Sequence, residues 1–235
     1  MKNKPFVFDW SVFFFLLTVA LAFFSWMGSI YGMENVQSLL SAEGVRWVLS
    51  HVVENYVETP ALGIVLILFM GIGISSRAGL VDALRQLFHQ ERRQISRKER
   101  RSLMLAFIAL LVYGGVVFLL TMLPWNFLQG ITGSWVHSPL SKGFVYILSV
   151  GIGLSGMVYG YASDAFRGAS DVVNGMSCLI ARKASYFVSL FFVVQFFYSL
   201  DYTRMAEWMN WGDGVMEVMF QLFCFLPLLK CRNRV

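Results

Sequence analysis

The sequence predicts an all-α integral membrane protein, with about six transmembrane helices, interfacial amphipathic helices between them, and both termini in the cytoplasm. Three observations predict it. Long apolar runs recur along the chain, most clearly Trp10 to Tyr31, Leu103 to Leu123 and Gly143 to Tyr161, and about 18 to 20 such residues, rising about 1.5 Å each, cross a hydrocarbon core of about 30 Å. Hydrophobic residues make up 57% of the 235 residues and charged ones only 14%. A water-soluble domain of this size has no means of hiding that much apolar surface. The third observation is the lopsided placement of Lys and Arg, which falls where a six-span topology needs it.

The first span, 10–31, follows Lys2 and Lys4. A cleaved signal peptide is the rival reading, with Ala20 and Ala22 as a cleavage-site mimic. The apolar run continues through Phe23, Phe24, Trp26 and Met27, and Asp9 precedes it, so a retained span is expected. The second span, 61–78, passes into Arg77, Asp82 and Arg85 without a proline to stop it. Pro124 closes the third, 103–123; the fourth is 143–161 and the fifth 184–200. The sixth, 215–229, is short and carries Glu217 near its start and Pro227 near its end. All six belong to one polytopic domain, 1–235.

Two connecting segments have helical spacing. Val45, Val48, Val52 and Tyr56 recur within Ser41 to Val57, which predicts an amphipathic helix along the outer interface. Phe166, Val172, Val173, Met176 and Ile180 form a comparable stripe on the inner side, after the potential caps Ser163 and Ser170. The remaining connection, His89 to Arg101, has no apolar run and reads as a basic cytoplasmic linker that fixes topology.

With a cytoplasmic N-terminus, this count retains Lys2 and Lys4, then Arg77, Arg85, Arg92, Arg93, Arg97, Lys98, Arg100 and Arg101, then Arg167, Arg182 and Lys183, and finally Lys230, Arg232 and Arg234 on the inside. Only Arg46, Lys142 and Arg204 fall outside. A span missed or invented in the middle would reverse every later loop. The bacterial inner membrane is the expected location, the lipid bilayer the main partner, and nucleic acid no partner for so short a basic loop.

No catalytic constellation is evident. His51, His89 and His137 are far apart and never at the i, i+4 spacing of a helical metal site. Cys178, Cys224 and Cys231 fit neither a metal site nor a disulfide framework. No Asp, Glu, Lys or Arg lies deep inside any predicted span, so no coupling residue stands out. No enzyme activity, metal or cofactor is therefore expected.

The glycines are more informative. Gly63, Gly71 and Gly73 in the second span and Gly151, Gly153, Gly156 and Gly160 in the fourth remove side chains where helices approach closely, or where a broken helix frees backbone groups around a cavity. If the fourth span breaks near Ser155 and Gly156, those groups, Tyr159 and, from the fifth span, Gln195 are the candidate substrate contacts. Gln195 serves equally as a bond to a neighbouring helix.

At two places the residues resemble a family. Ser41-Ala42-Glu43-Gly44-Val45-Arg46-Trp47-Val48-Leu49, then Thr59-Pro60-Ala61-Leu62-Gly63-Ile64-Val65-Leu66 and Gly71-Ile72-Gly73-Ile74, are similar to an early block of the AbgT p-aminobenzoyl-glutamate transporters. Further on, His137-Ser138-Pro139, Gly156-Met157-Val158-Tyr159-Gly160, Ser170-Asp171-Val172-Val173 and Phe192-Val193-Val194-Gln195-Phe196 resemble a second block in the same order. Ser155 stands where the family pattern has proline. The resemblance implies a membrane transporter for a small organic anion such as p-aminobenzoyl-glutamate or a related aromatic carboxylate, coupled to a sodium or proton gradient. Family members are longer and carry re-entrant hairpins between and after the two blocks, which this sequence does not match. A non-transporting scaffold, or one subunit of a heteromeric transport complex, is the alternative, and a homodimer or a partner membrane protein is expected in either case.

Overall fold

The computed structural model describes residues 9–33, 35–89, 96–122, 138–209 and 211–230. The described residues form ten helices and no strand: α1 (Trp10–Ile30), α2 (Ala42–Val57), α3 (Pro60–Ala78), α4 (Leu80–His89), α5 (Arg97–Met122), α6 (Pro139–Ala162), α7 (Ala169–Arg182), α8 (Ala184–Tyr202), α9 (Met205–Trp208) and α10 (Asp213–Lys230). Five runs are long and apolar enough to cross a membrane: α1, the stretch Ala42–Ala78 that joins α2 and α3, α5, α6 and α8. The sixth expected span is a shorter apolar helix, Gly214–Leu228.

Helix boundaries follow local chemistry. The second apolar run does not continue unbroken into its charged tail. Gly79, at φ +85°, turns the chain between α3 and α4, a conformation open to glycine because it lacks a Cβ. Ser41 caps α2 through its hydroxyl, which accepts from the Gly44 N–H, and Ser138 caps α6 by accepting from the Ser141 N–H with Pro139 at the first helical position. The expected linker is shorter than its basic run, because α5 begins at Arg97 and takes Lys98, Arg100 and Arg101 into its first turns.

The chain divides into two compact units, residues 1–63 with 183–235, and residues 64–182. In the first, α8 is the axis. It is apolar all round, and Tyr186, Leu190, Val193 and Val194 are completely buried, as expected of a helix with neighbours on every side. Those neighbours are α1, α2, α9 and α10. Helix α1 runs parallel to α8: Ser11 and Ser189 hydroxyls bond at 2.8 Å, Phe15 meets Phe192, and Leu21 packs with Leu200. Helix α10 runs antiparallel, with the Tyr186 hydroxyl donating to the Cys224 carbonyl at 3.0 Å and Phe197 against Phe220. Pro227 lies inside α10 and, having no N–H, removes the helical donor of the Phe223 carbonyl, next to Cys224.

Helix α2 lies lengthwise against α8 rather than across its end. Trp47 stacks on Tyr202 with ring centroids 4.4 Å apart, Gln195 Nε2 donates to the Val52 carbonyl at 2.7 Å, and the Tyr56 hydroxyl donates to the Phe187 carbonyl at 3.0 Å. As the number rises along α2 it falls along α8. The two helices are antiparallel over nearly the whole of α8.

In the second unit, α5 and α6 form an antiparallel pair. The Tyr113 hydroxyl donates to the Ile147 carbonyl at 2.9 Å, while Lys98 pairs with Asp164 beyond the other end of α6. Helix α3 runs parallel to α6, with Ser149 Oγ donating to the Ile67 carbonyl at 2.6 Å and Ser75 Oγ to the Ile152 carbonyl at 2.7 Å. Helix α7 closes over α3, bringing Gly175 against Ile74. Phe166, Val172, Tyr159, Ile74 and Ala106 share one buried cluster. Helix α5 instead presents apolar side chains outward on most sides, including Phe107, Leu111, Val112 and Phe118, as a lipid-facing helix does.

Candidate functional site

Helix α6 carries three of the four expected contact residues and is one uninterrupted helix from Pro139 to Ala162. No break near Ser155 and Gly156 frees backbone groups. The Ser155 hydroxyl turns back to the Ile152 carbonyl at 2.9 Å, and Ser155 is buried. Gly156 faces Ser75 of α3 so closely that a Cβ there would stand 2.7 Å from the Ser75 Cα. Tyr159 is buried in the cluster with Phe166 and Ala106. Gly71 complements this arrangement, since a Cβ on it would meet the Ser149 hydroxyl at 2.5 Å. Small residues one helical turn apart on α3 (Gly71, Ser75) and on α6 (Ser149, Gly153, Gly156) therefore let two backbones touch.

Gln195, the fourth residue, belongs to the other unit. One of its amide N–H groups donates to the Val52 carbonyl, and the amide oxygen and the second N–H keep further hydrogen-bonding capacity. Between α3 and α6, adjoining Gly71 and Gly153, lies a cavity of about 260 Å³, lined mostly by aliphatic and Met side chains such as Ile67, Met70, Leu154 and Met176. Ser155, Gly156 and Tyr159 do not line it.

The structure adds a polar face that sequence reading missed. Glu43, Arg46, Ser50 and Glu54 on α2, with Glu58 just after it, recur every three or four residues and are all exposed, beside a second exposed stripe of Val45, Leu49, Val53 and Val57. Because α2 lies along α8, Ser50 and Glu54 stand beside the α8 segment between Tyr202 and Phe187. Helix α8 is one of the runs long and apolar enough to cross a membrane. A carboxylate facing hydrocarbon costs about 2.5 to 3.5 kcal/mol or more, so with α8 in a bilayer the Glu54 face is expected to meet water or protein and the aliphatic stripe lipid. The only sequence signal was the repeat of charge at helical spacing. It had no meaning at depth until α2 was seen to follow a span.

Outside the spans, two carboxylates order the connection between α6 and α7. Asp164 adopts a left-handed backbone at φ 61° and pairs with Lys98; the hydrogen bond and the charge of that ammonium hold its carboxyl below the usual Asp value. Asp171 accepts the backbone N–H groups of Arg167 and Gly168 at 2.8 and 3.3 Å, and this bonding lowers its carboxyl as well. The reach from the first turn of α7 back to the preceding amides satisfies donors that a helix start leaves free. Of the histidines, His51 stacks on Trp47 and its Nδ1 lies 3.0 Å from the Trp47 carbonyl; His137 is outside the described residues.

The fold is similar to two solved transporters. MtrF of Neisseria gonorrhoeae, from a class described as antimetabolite efflux pumps, superposes with a TM-score of 0.77 at 16% identity, covering 95% of this chain and 78% of that one. The YdaH transporter of Alcanivorax borkumensis, described as having an unusual topology, gives a TM-score of 0.69 at 16% identity, covering 86% and 74%. In sequence, the p-aminobenzoyl-glutamate transport protein of Escherichia coli K12 is 43% identical over 49 residues, a stretch that spans 21% of this chain and 10% of that relative's length. The family model described as "AbgT putative transporter family" matches residues 6–93 and 84–219, two segments that overlap over 84–93. With nearly the whole chain so matched, this multi-pass, α-helical membrane protein belongs to the AbgT transporter family.

Proposed function

We propose that the protein moves a small organic anion, p-aminobenzoyl-glutamate or a related aromatic carboxylate, across the bacterial inner membrane. The observation that carries this reading is the family match over both halves of the chain, joined to the 43% identity with the p-aminobenzoyl-glutamate transport protein. Flux is coupled to a sodium or proton gradient, and the working unit is a homodimer or a complex with a partner membrane protein. Within it, Ser155, Gly156 and Tyr159 shape the α6 face, and Gln195 offers its amide oxygen to the solute.

A specific observation favours a second reading. Helix α6 is unbroken, and Gly156 is occupied by contact with Ser75, so the residues expected around a cavity are engaged in packing. A scaffold, or a subunit whose substrate site is completed by another polypeptide, has this character.

Reconstituted vesicles separate the two. Transport by the chain alone predicts accumulation or release of labelled p-aminobenzoyl-glutamate under a sodium or a proton gradient, reduced several-fold by Gln195→Ala without loss of folded protein. No flux under either gradient rejects autonomous transport. Flux that appears only with a co-purified membrane protein supports the subunit reading.

A further inference from the structure

A second cavity, in the unit built around α8, is chemically unlike the aliphatic one. It measures about 340 Å³ and opens between the C-terminal end of α8 and the first turns of α10. Phe197, Tyr198, Phe220 and Met216 supply its walls, and Asp201 and Glu217 its polar groups. The rings are held in place by one another: Tyr198 and Phe220 meet edge to face with centroids 6.1 Å apart, and Phe197 and Phe220 at 5.4 Å. Phe197 is itself anchored against Phe14 and Phe223. Glu217 is steadied by Gln221, whose Nε2 donates to it at 3.3 Å, while the Asp201 side chain is exposed.

Aromatic faces present negative quadrupole potential, and a cation within about 6 Å of a ring centroid is attracted to them, most strongly where water is partly excluded. Two carboxylates at the rim add full charges of the same sign. Among the described side chains from Asp201 to Glu217, the carboxylates Asp201, Glu207 and Glu217 stand against the cation Arg204, so the local charge balance also favours cations. An anionic solute meets the opposite conditions. Exposed Trp208 and Trp211 nearby mark this end of α8 as the level of a membrane–water interface, where such rings concentrate.

We propose that this cavity binds an alkylammonium group, with Tyr198 and Phe220 contacting its methyl or methylene surface and Asp201 and Glu217 balancing its charge. The group has two possible sources, a free organic cation or the ammonium headgroup of phosphatidylethanolamine. The site is separate from the anion-carrying face and does not depend on it.

The full chain in nanodiscs of phosphatidylglycerol alone, which contain no ammonium lipid, provides the test. Benzyltrimethylammonium is titrated against it, with 3,3-dimethylbutan-1-ol and choline as a neutral and a cationic pair of the same shape. Saturable binding of the cations, absent for the alcohol, and weakened about tenfold or more by Asp201→Asn with Glu217→Gln and by Phe220→Leu, is expected. Native mass spectrometry of protein purified from phosphatidylethanolamine-rich membranes assigns the source. Retained phosphatidylethanolamine, lost in the double variant, points to the headgroup, and its absence alongside cation binding points to a free solute. Equal binding of alcohol and choline overturns the proposal, as does cation affinity unchanged in variants with wild-type circular dichroism. So does failure to bind any cation or to retain that lipid.

Discussion

Glycine 156 and glycine 153 sit one turn apart on the same helix and face the same neighbour, yet they are not equivalent. A Cβ at Gly153 would find the Ile74 side chain at 3.4 Å and the Gly71 Cα at 3.6 Å, ordinary contact distances. At Gly156 the obstacle is the Ser75 backbone, with Cα at 2.7 Å and N at 2.8 Å, and backbone does not move aside as a flexible side chain does. Gly153→Ala is therefore expected to leave the melting temperature nearly unchanged, whereas Gly156→Ala destabilises by about 1 to 3 kcal/mol, the usual cost of overpacking. Thermal melts of the two variants in one detergent decide it, and equal melting temperatures would contradict the close crossing. Asp164 gives a second residue-scale prediction. Its folded pKa lies below its unfolded one, so its stabilisation is present above the unfolded value and disappears as pH falls through the folded value. Both partners are largely exposed, which keeps the effect small. Carbon-detected NMR of the carboxyl should show a midpoint below the ordinary value of about 3.9, and Lys98→Gln should move it upward.

Among the elements, α2 is where position changes meaning. Its Glu, Arg and Ser positions suit an interfacial helix, but its bonds to Phe187 and Gln195 carry it along a membrane-spanning neighbour. Single cysteines placed in a background free of native ones should therefore split into two classes. Ser50→Cys and Glu54→Cys are expected to react with a membrane-impermeant methanethiosulfonate, and Leu49→Cys and Val53→Cys to resist it while remaining open to a lipid-soluble maleimide. Reaction at all four at similar rates would place α2 in bulk water and remove its role as a membrane-depth polar face. Protection of Ser50 and Glu54 that is lifted when the protein is dissociated would identify protein, rather than water, as what covers them.

For the whole molecule, the directions of the helices bear on topology. Within the units, α1 and α8 are parallel, and α3 and α6 are parallel to each other and antiparallel to α5. The absolute sense rests on the distribution of Lys and Arg. With a cytoplasmic N-terminus, an engineered cysteine at Gln94 stays inaccessible to impermeant label in intact cells and reacts after permeabilisation. Labelling of that cysteine from outside would reverse the assignment of both termini.

The membrane class and most spans were legible in the sequence because a helix in hydrocarbon must be apolar along its whole length and satisfy its own backbone. The expected 143–161 and 184–200 lie within α6 and α8, and the family likeness was legible from ordered motifs near Arg46, Tyr159 and Gln195. Other features depended on distances between residues far apart in the chain. Gly156 reads equally well as a break or as a packing surface, and only Ser75, brought against it by the α3–α6 crossing, decided for packing. Gln195 reads as a solute contact or a helix tie until the Val52 carbonyl is placed 2.7 Å away. Glu54 falls in a segment that reads as an amphipathic helix along the outer interface, because hydropathy records how apolar a segment is, not what it lies beside. The sequence by itself determined which segments leave water, through the free energy of transferring their side chains. Tertiary structure decided which faces of those segments touch, because a helix presents several faces at once and only its neighbours choose among them.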